Sequence, residues 1–75
     1  MNDNLELIRS YIESKHPNTV GYTEINTMLN QHVNPKYTIT ESQDLTHELF
    51  KLHLVKLTSN PVTKCLEYLY RKDNT

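Results

Sequence analysis

Apolar positions near the start of the chain repeat with the period of a helix. Leu5, Ile8 and Ile12 are separated by three and four residues, which places them on one helix face. The bond His16–Pro17 ends this pattern, because the residue before a proline avoids the helical conformation. The spacing predicts a helix over residues 3–15.

A second helix is predicted after a short extended stretch at residues 19–22. Thr23 is its expected N-cap, since a threonine hydroxyl accepts from the free N–H groups of the first turn. The pair Asn34–Pro35 marks its end. The predicted inner face consists of Ile25, Met28, Leu29 and His32.

A third helix has the strongest start signal in the chain. Two overlapping capping boxes are present, Thr38 with Glu41 and Thr40 with Gln43. The helix is expected to end near His53. Its predicted buried stripe consists of Leu45, Leu49 and Leu52.

The last part of the chain changes to the period of a strand. Apolar and polar side chains alternate over residues 55–58, and they can alternate again over residues 62–71. Residues 59–61 between them contain turn-forming side chains. Two strands joined by a turn form an antiparallel hairpin. The polar residues 72–75 are expected to be frayed. The predicted fold class is therefore mainly α with a small antiparallel β hairpin, an α+β fold, in one domain over residues 1–75.

Composition narrows the classes of function. The chain has 75 residues, a net charge of −1 and a single glycine. One glycine excludes a glycine-rich phosphate loop, and the bulk charge excludes a strongly basic polyanion binder. No apolar run approaches the length of a membrane span, and the N-terminus lacks the basic segment of a signal peptide. We expect a cytoplasmic protein with no membrane partner.

The residues that usually carry catalysis or metal binding are poorly placed. The single cysteine, Cys65, excludes an intramolecular disulfide and a cysteine-based zinc finger. The four histidines include no pair four residues apart, so we expect no metal and no cofactor. Cys65 itself is expected to be a small buried hydrophobic residue in a strand. No spacing suggests a nucleophile with its base, so the chain is not expected to be an enzyme.

The order of predicted elements resembles the winged helix-turn-helix superfamily. The resemblance is carried by the segment LFKLHLVKL at residues 49–57 and by EYLY at residues 67–70. It covers nearly the whole chain and implies a compact DNA-binding fold whose third helix enters the major groove. His53 stands where the family usually has a glycine, and the connection between helices two and three is longer than a tight turn. The third helix also carries three acids, Glu41, Asp44 and Glu48.

The resemblance implies double-stranded DNA as the partner and a small transcriptional regulator as the function. The Asn-rich, Ala-free composition suggests a phage, plasmid or similar mobile element as its source. Two half-sites multiply specificity, so a homodimer is expected. The expected dimer elements are helix one and the last strand, through Leu7, Tyr11, Leu69 and Tyr70. The expected DNA-binding residues are Lys36, Ser42, Gln43, Thr46, His47, Lys51, Lys56, Lys64 and Arg71.

An alternative function stays open, because acids on the third helix repel phosphate. The chain can instead be a phage-type protein-binding module or inhibitor acting on a host transcription or defence protein. Its surface would then centre on Asp44, Glu48 and Phe50, next to Lys51. Phe50 has two open placements, beneath the hairpin or on an exposed protein-binding patch.

Overall fold

The structure, a computed structural model, describes residues 3–71. Within that range it contains three helices and one two-stranded antiparallel sheet, so the predicted α+β class is confirmed. The predicted frayed end, residues 72–75, lies outside the described residues. No helix within residues 3–71 is long and apolar enough to cross a membrane. The elements are α1 (Asp3–Lys15), α2 (Tyr22–His32), α3 (Ile39–Lys51), β1 (Val55–Ser59) and β2 (Leu66–Tyr70).

The core lies between the three helices and the inner face of the hairpin. The predicted stripe of α1 is confirmed, since all three of its residues are buried. His32 is exposed and does not belong to the predicted inner face of α2, because it is the last residue of the helix. The buried apolar residues are Leu5, Ile8, Ile12, Val20, Ile25, Met28, Leu29, Leu49, Val55 and Tyr68.

The extended stretch before α2 pairs with β2 on the side opposite β1. The Val20 N–H donates to Tyr68 O at 2.7 Å, and the Tyr68 N–H donates to Val20 O at 2.8 Å. β2 therefore has backbone partners on both sides, β1 on one and Val20 on the other. This pairing holds the end of α1, the start of α2 and the hairpin together around two buried side chains.

The start of α2 differs from the prediction. Gly21, not Thr23, is the N-cap, and no side chain caps the helix. The chain turns into the helix immediately after the Val20 pairing, so the helix begins before Thr23 is reached. A Cβ atom at Gly21 would lie 3.2 Å from Glu67 Oε2, which explains why the smallest residue suits this position.

The start of α3 confirms one capping box and excludes the other. The Glu41 N–H donates to Thr38 Oγ1 at 3.1 Å, and the Thr38 N–H donates to Glu41 Oε1 at 3.0 Å. Thr40 already lies inside the helix, so its box with Gln43 does not form. The box provides hydrogen-bond acceptors for two backbone N–H groups that would otherwise lack partners at the helix end.

The end of α3 comes earlier than predicted. The helix ends at Lys51, and the C-cap Leu52 is 49% exposed, so its predicted burial is wrong. Leu45 is half-buried and packs against the core, and Leu49 is fully buried. His53 has a φ of 63°, the left-handed conformation for which the resemblance expects glycine. This turn redirects the chain into β1 and leaves Leu52 on the outside.

Thr38→Ala is expected to lower the free energy of unfolding by about 1 kcal/mol, because it removes the hydroxyl that caps α3. Thr40→Ala is the matched control, since Thr40 is exposed and takes no part in the capping box. Urea denaturation of both variants measures the difference. Equal stability of the two variants would contradict a capping role for Thr38.

Candidate nucleic-acid interface

A row of three polar side chains follows the outer face of α3. Gln43, His47 and Lys51 are four residues apart and all exposed. The ring of His47 stacks on the ring of Phe50, with centroids 5.4 Å apart and planes 29° apart. Phe50 is half-buried and packs against the core, so it supports His47 from behind. The structure therefore brings three of the predicted DNA-binding residues together on one helix face.

The prediction that Ser42 and Thr46 bind DNA is wrong. Ser42 and Thr46 are fully buried and cannot reach a ligand in a groove of DNA. The Thr46 hydroxyl donates to Ser42 O at 2.7 Å, and the Ser42 hydroxyl donates to Thr38 O at 3.0 Å. Both side chains lie on the inner face of α3, together with Leu49. Their hydroxyls make helix-backbone bonds inside the fold.

Asn26 of α2 explains why Ser42 is buried. Its side-chain amide nitrogen donates to Tyr37 O at 2.9 Å, Thr38 O at 3.0 Å and Ser42 Oγ at 2.8 Å. The nitrogen must face this side, because carbonyl oxygens only accept hydrogen bonds. One side chain thus ties α2 to the first turn of α3. An asparagine within a helix next to the buried Ile25 is the signal in the sequence, since asparagine is unfavourable there without a partner.

The acids of α3 divide into two groups. Glu41 is part of the capping box, whereas Asp44 and Glu48 are exposed. Among residues 3–71 both ion pairs are made by Arg9, with acids of its own helix, and none involves α3. The outer face of α3 therefore carries two uncompensated carboxylates beside Lys51. These two negative charges disfavour the binding of phosphate and favour the binding of hydrogen-bond donors or cations.

The remaining predicted cations lie on several different elements. Lys36 is in the connection before α3, Lys56 is on β1, and Lys64 is in the connection between the strands, with a φ of 61°. These three are exposed, and Arg71 is half-buried directly after β2. None of them makes an ion pair within the described part of the chain. Lys64 lies outside both strands, so strand alternation does not decide its direction.

Asn60 organises the connection between the strands, residues 60–65. Its Oδ1 accepts from the N–H of Val62 at 2.8 Å and from the N–H of Thr63 at 3.2 Å. Its Nδ2 donates to Glu67 Oε1 at 3.0 Å, and the Thr19 hydroxyl donates to the same oxygen at 2.7 Å. These bonds hold the connection as a defined turn, with Val62 87% exposed at its tip.

This turn corrects two predictions about the second strand. β2 begins at Leu66, not at residue 62, because Asn60 holds residues 62 and 63 in the turn. Cys65 consequently precedes the strand and is exposed, so its predicted burial is wrong. In residues 3–71 no group of three or more His, Cys, Asp or Glu side chains is placed to hold a metal ion.

The predicted dimer residues occupy two separate places. Leu7 and Tyr11 line a groove between α1 and α2, and Leu69 and Tyr70 do not line it. Leu69 and Tyr70 point to opposite faces of β2, and Tyr70 meets the ring of His16 edge-on at 6.3 Å. The role of all four residues in a dimer stays a prediction.

Tyr11 links α1 to α2 through its hydroxyl. The hydroxyl donates to Glu24 Oε2, and the Lys15 Nζ lies 5.3 Å from the ring centroid. Burial, followed by the hydrogen bond to Glu24 and its negative charge, raises the pKa of Tyr11 to about 12. The neutral phenol is thus the form that the fold stabilises.

The chain matches no protein-family model, and comparison with curated proteins and with solved structures gives no significant similarity.

Asn26→Ala is expected to lower the free energy of unfolding by about 1–3 kcal/mol, because it removes the hydrogen bonds from the Asn26 amide to Tyr37 O, Thr38 O and Ser42 Oγ. Gln31→Ala is the matched control, an exposed amide on the same helix. Thermal or urea denaturation compares them. A loss no larger than that of the control would exclude the link between α2 and α3.

Tyr11→Phe is expected to lower the free energy of unfolding by about 1 kcal/mol at neutral pH, because one hydrogen bond is lost. The pKa of Tyr11 is raised in the fold, so its contribution is present below pH 10 and is lost as the pH rises toward 12. The difference between wild type and variant should therefore shrink over that interval. Urea denaturation of both proteins at neutral and alkaline pH measures this difference in the free energy of unfolding. The other tyrosines are common to both proteins, so their titration cancels in the difference. A difference that grows with pH would reverse the assigned sign.

Proposed function

We propose that the protein is a small winged-helix regulator that binds double-stranded DNA through the outer face of α3. The observation that carries this proposal is the exposed row of Gln43, His47 and Lys51 on a helix whose start is fixed by a capping box and by Asn26. A rigid helix with outward hydrogen-bonding groups suits a major groove, because base edges are read by side chains held in register.

The arrangement around α3 supports the winged-helix part of the proposal. β2 lies between β1 and Val20, and a left-handed residue, His53, separates α3 from β1. The connection at residues 60–65 projects as a defined turn with the exposed Lys64. In this proposal that turn is the wing, and Lys64 contacts phosphate.

Each side chain of the row has its own role in the proposal. Gln43 can pair with adenine through two hydrogen bonds, and His47 can donate to or accept from a base edge. Lys51 at the end of the helix contacts the backbone. In this proposal Asp44 and Glu48 can each accept from the amino group of cytosine, while their negative charge opposes the phosphate backbone.

The proposal includes a homodimer and a cytoplasmic regulator of a phage, plasmid or similar element. A single module of this size buries little DNA surface, and a pair of half-sites multiplies both affinity and specificity. The dimer contacts proposed are Leu7 and Tyr11 on α1 and Leu69 and Tyr70 on β2.

The double variant Gln43→Ala/His47→Ala is expected to weaken binding to a selected duplex at least tenfold, because each lost base contact costs about 1–3 kcal/mol. Fluorescence anisotropy at fixed salt measures the affinity, after selection of the site from random duplexes. Gln31→Ala is the matched control, since it removes an exposed amide of α2 that lies outside the proposed DNA face and outside the groove lined by Leu7 and Tyr11. Unchanged affinity in the α3 variant would exclude this face as the reader.

A second candidate function is supported by the two uncompensated acids of α3. Asp44 and Glu48 can accept donors from a basic patch on a host transcription or defence protein, with Phe50 behind them and Lys51 beside them. Asp44→Asn/Glu48→Gln separates the two candidates. The neutral variant binds random duplex DNA more tightly if α3 faces DNA, because phosphate repulsion is removed. If α3 instead binds a protein, the wild type captures one host protein even after nuclease treatment, and the neutral variant does not.

A further inference from the structure

A second surface lies at the opposite side of β2 from β1. It is a groove of about 450 Å³ between the first turns of α2 and the start of β2, and we call it the α2–β2 groove. Its walls include Tyr22 and Thr27 from α2 and Cys65 and Leu66 from the hairpin. It contains none of the residues of the α3 row and is a separate site.

The walls of the α2–β2 groove are largely apolar and open to solvent. Leu66 is 65% exposed and Tyr22 is 37% exposed. Leu66 points to the same face of the hairpin as the buried Tyr68, because residues two apart share a face. Leu66 does not belong to the buried core, and most of its side chain is open to solvent. An aliphatic strand residue left uncovered beside an aromatic ring is a place for an apolar partner.

The polar groups of the α2–β2 groove are negative. Glu24 and Glu67 line it, and no lysine or arginine does. The fold holds one oxygen of each carboxylate: Glu24 Oε2 accepts from the Tyr11 hydroxyl, and Glu67 Oε1 accepts from Thr19 and Asn60. The second oxygen of each accepts no hydrogen bond from residues 3–71. The groove thus offers two positioned acceptors with negative charge and has no cation of its own.

The backbone of β2 adds a directional element to the α2–β2 groove. The N–H and C=O groups of Tyr68 point away from β1 and bond Val20. Backbone groups alternate along a strand, so those of Leu66 point to the same side. There the chain has already turned into α2 at Tyr22, and no backbone bond to Leu66 from that side is present among residues 3–71. Leu66 therefore presents an unpaired donor and acceptor along the groove.

We propose that the α2–β2 groove binds an extended segment of a partner protein that carries an aliphatic side chain next to an arginine or lysine. The aliphatic side chain packs between Leu66 and Tyr22, and the cation lies between Glu24 and Glu67. The backbone of the segment pairs with the free N–H and C=O of Leu66, as in strand addition. Charge complementarity selects this occupant, since the same two carboxylates repel a phosphate backbone. The inference uses none of the residues proposed to read DNA and does not depend on that proposal.

Cys65 supplies a site-specific test, because it is the one cysteine of the chain and lines the groove. The probes are short acetylated peptide amides containing Cys-Gly-Leu-Arg, Cys-Gly-Leu-Glu or Cys-Gly-Ser-Arg, each supplied as a mixed disulfide with 2-mercaptoethanol. The Cys65 thiolate attacks the cysteine sulfur of the probe, a disulfide joins protein and probe, and 2-mercaptoethanol leaves as thiolate. Intact-mass spectrometry over a series of 2-mercaptoethanol concentrations measures how strongly each probe is retained.

The folded protein is expected to retain the Leu-Arg probe at a reductant concentration at least fivefold higher than the Leu-Glu or Ser-Arg probe. The same exchange in concentrated urea gives the intrinsic preference of the thiol, which is subtracted. Leu66→Ser and Glu24→Gln should each reduce the retention of the Leu-Arg probe to near that of the other two. Glu24→Gln keeps an oxygen for the Tyr11 hydroxyl, and circular dichroism checks that both variants fold.

Val62→Ser is the matched control. Val62 is an exposed apolar residue in the connection at residues 60–65, and it does not line the α2–β2 groove. It should retain the Leu-Arg probe like wild type. Retention of the three probes within twofold of one another overturns the proposal. A dimer seen by sedimentation and dissociated by Leu66→Ser also overturns it, because the occupant is then a second copy of this chain.

Discussion

The orientation of α3 depends on one half-buried side-chain amide. Asn26 bonds the last carbonyls before α3 and the hydroxyl of Ser42, which sets the rotation of the helix about its axis. With Ser42 and Thr46 turned inward, the helical period places Gln43 and His47 outward. A rotation by one residue would bury different side chains and break the hydrogen bonds between Asn26 and the start of α3, which is costly. The outer face of α3 is therefore a consequence of polar bonds inside the fold.

A second polar centre determines the shape of the hairpin and of the α2–β2 groove together. The carboxylate of Glu67 accepts from Thr19 and from Asn60, and its other oxygen lies close to Gly21. Asn60 at the same time bonds the backbone of the turn that follows it. The start of α2, the turn and β2 consequently share one set of hydrogen bonds.

Sequence reasoning succeeded where one local rule determines the structure. The spacing of Leu5, Ile8 and Ile12 predicted α1, and the pair Thr38 and Glu41 predicted the start of α3, because both signals act within one or two helical turns. It failed where a partner distant in sequence decides. The burial of Ser42 depends on Asn26, sixteen residues away, and the exposure of Leu52 follows from the left-handed turn at His53. The candidate face of α3 was thus predicted only in part.

The charge distribution limits how the α3 face can bind DNA. Five cations of the proposed interface lack ion-pair partners within residues 3–71: Lys36, Lys51, Lys56, Lys64 and Arg71. Each phosphate neutralised contributes about −0.9 to the salt slope, so one chain can reach a slope of about −4.5 at most. The carboxylates of Asp44 and Glu48 act against it over the roughly 8 Å that charges reach at physiological salt. Substantial affinity therefore requires either specific base contacts by α3 or a second chain that doubles the cations on one duplex.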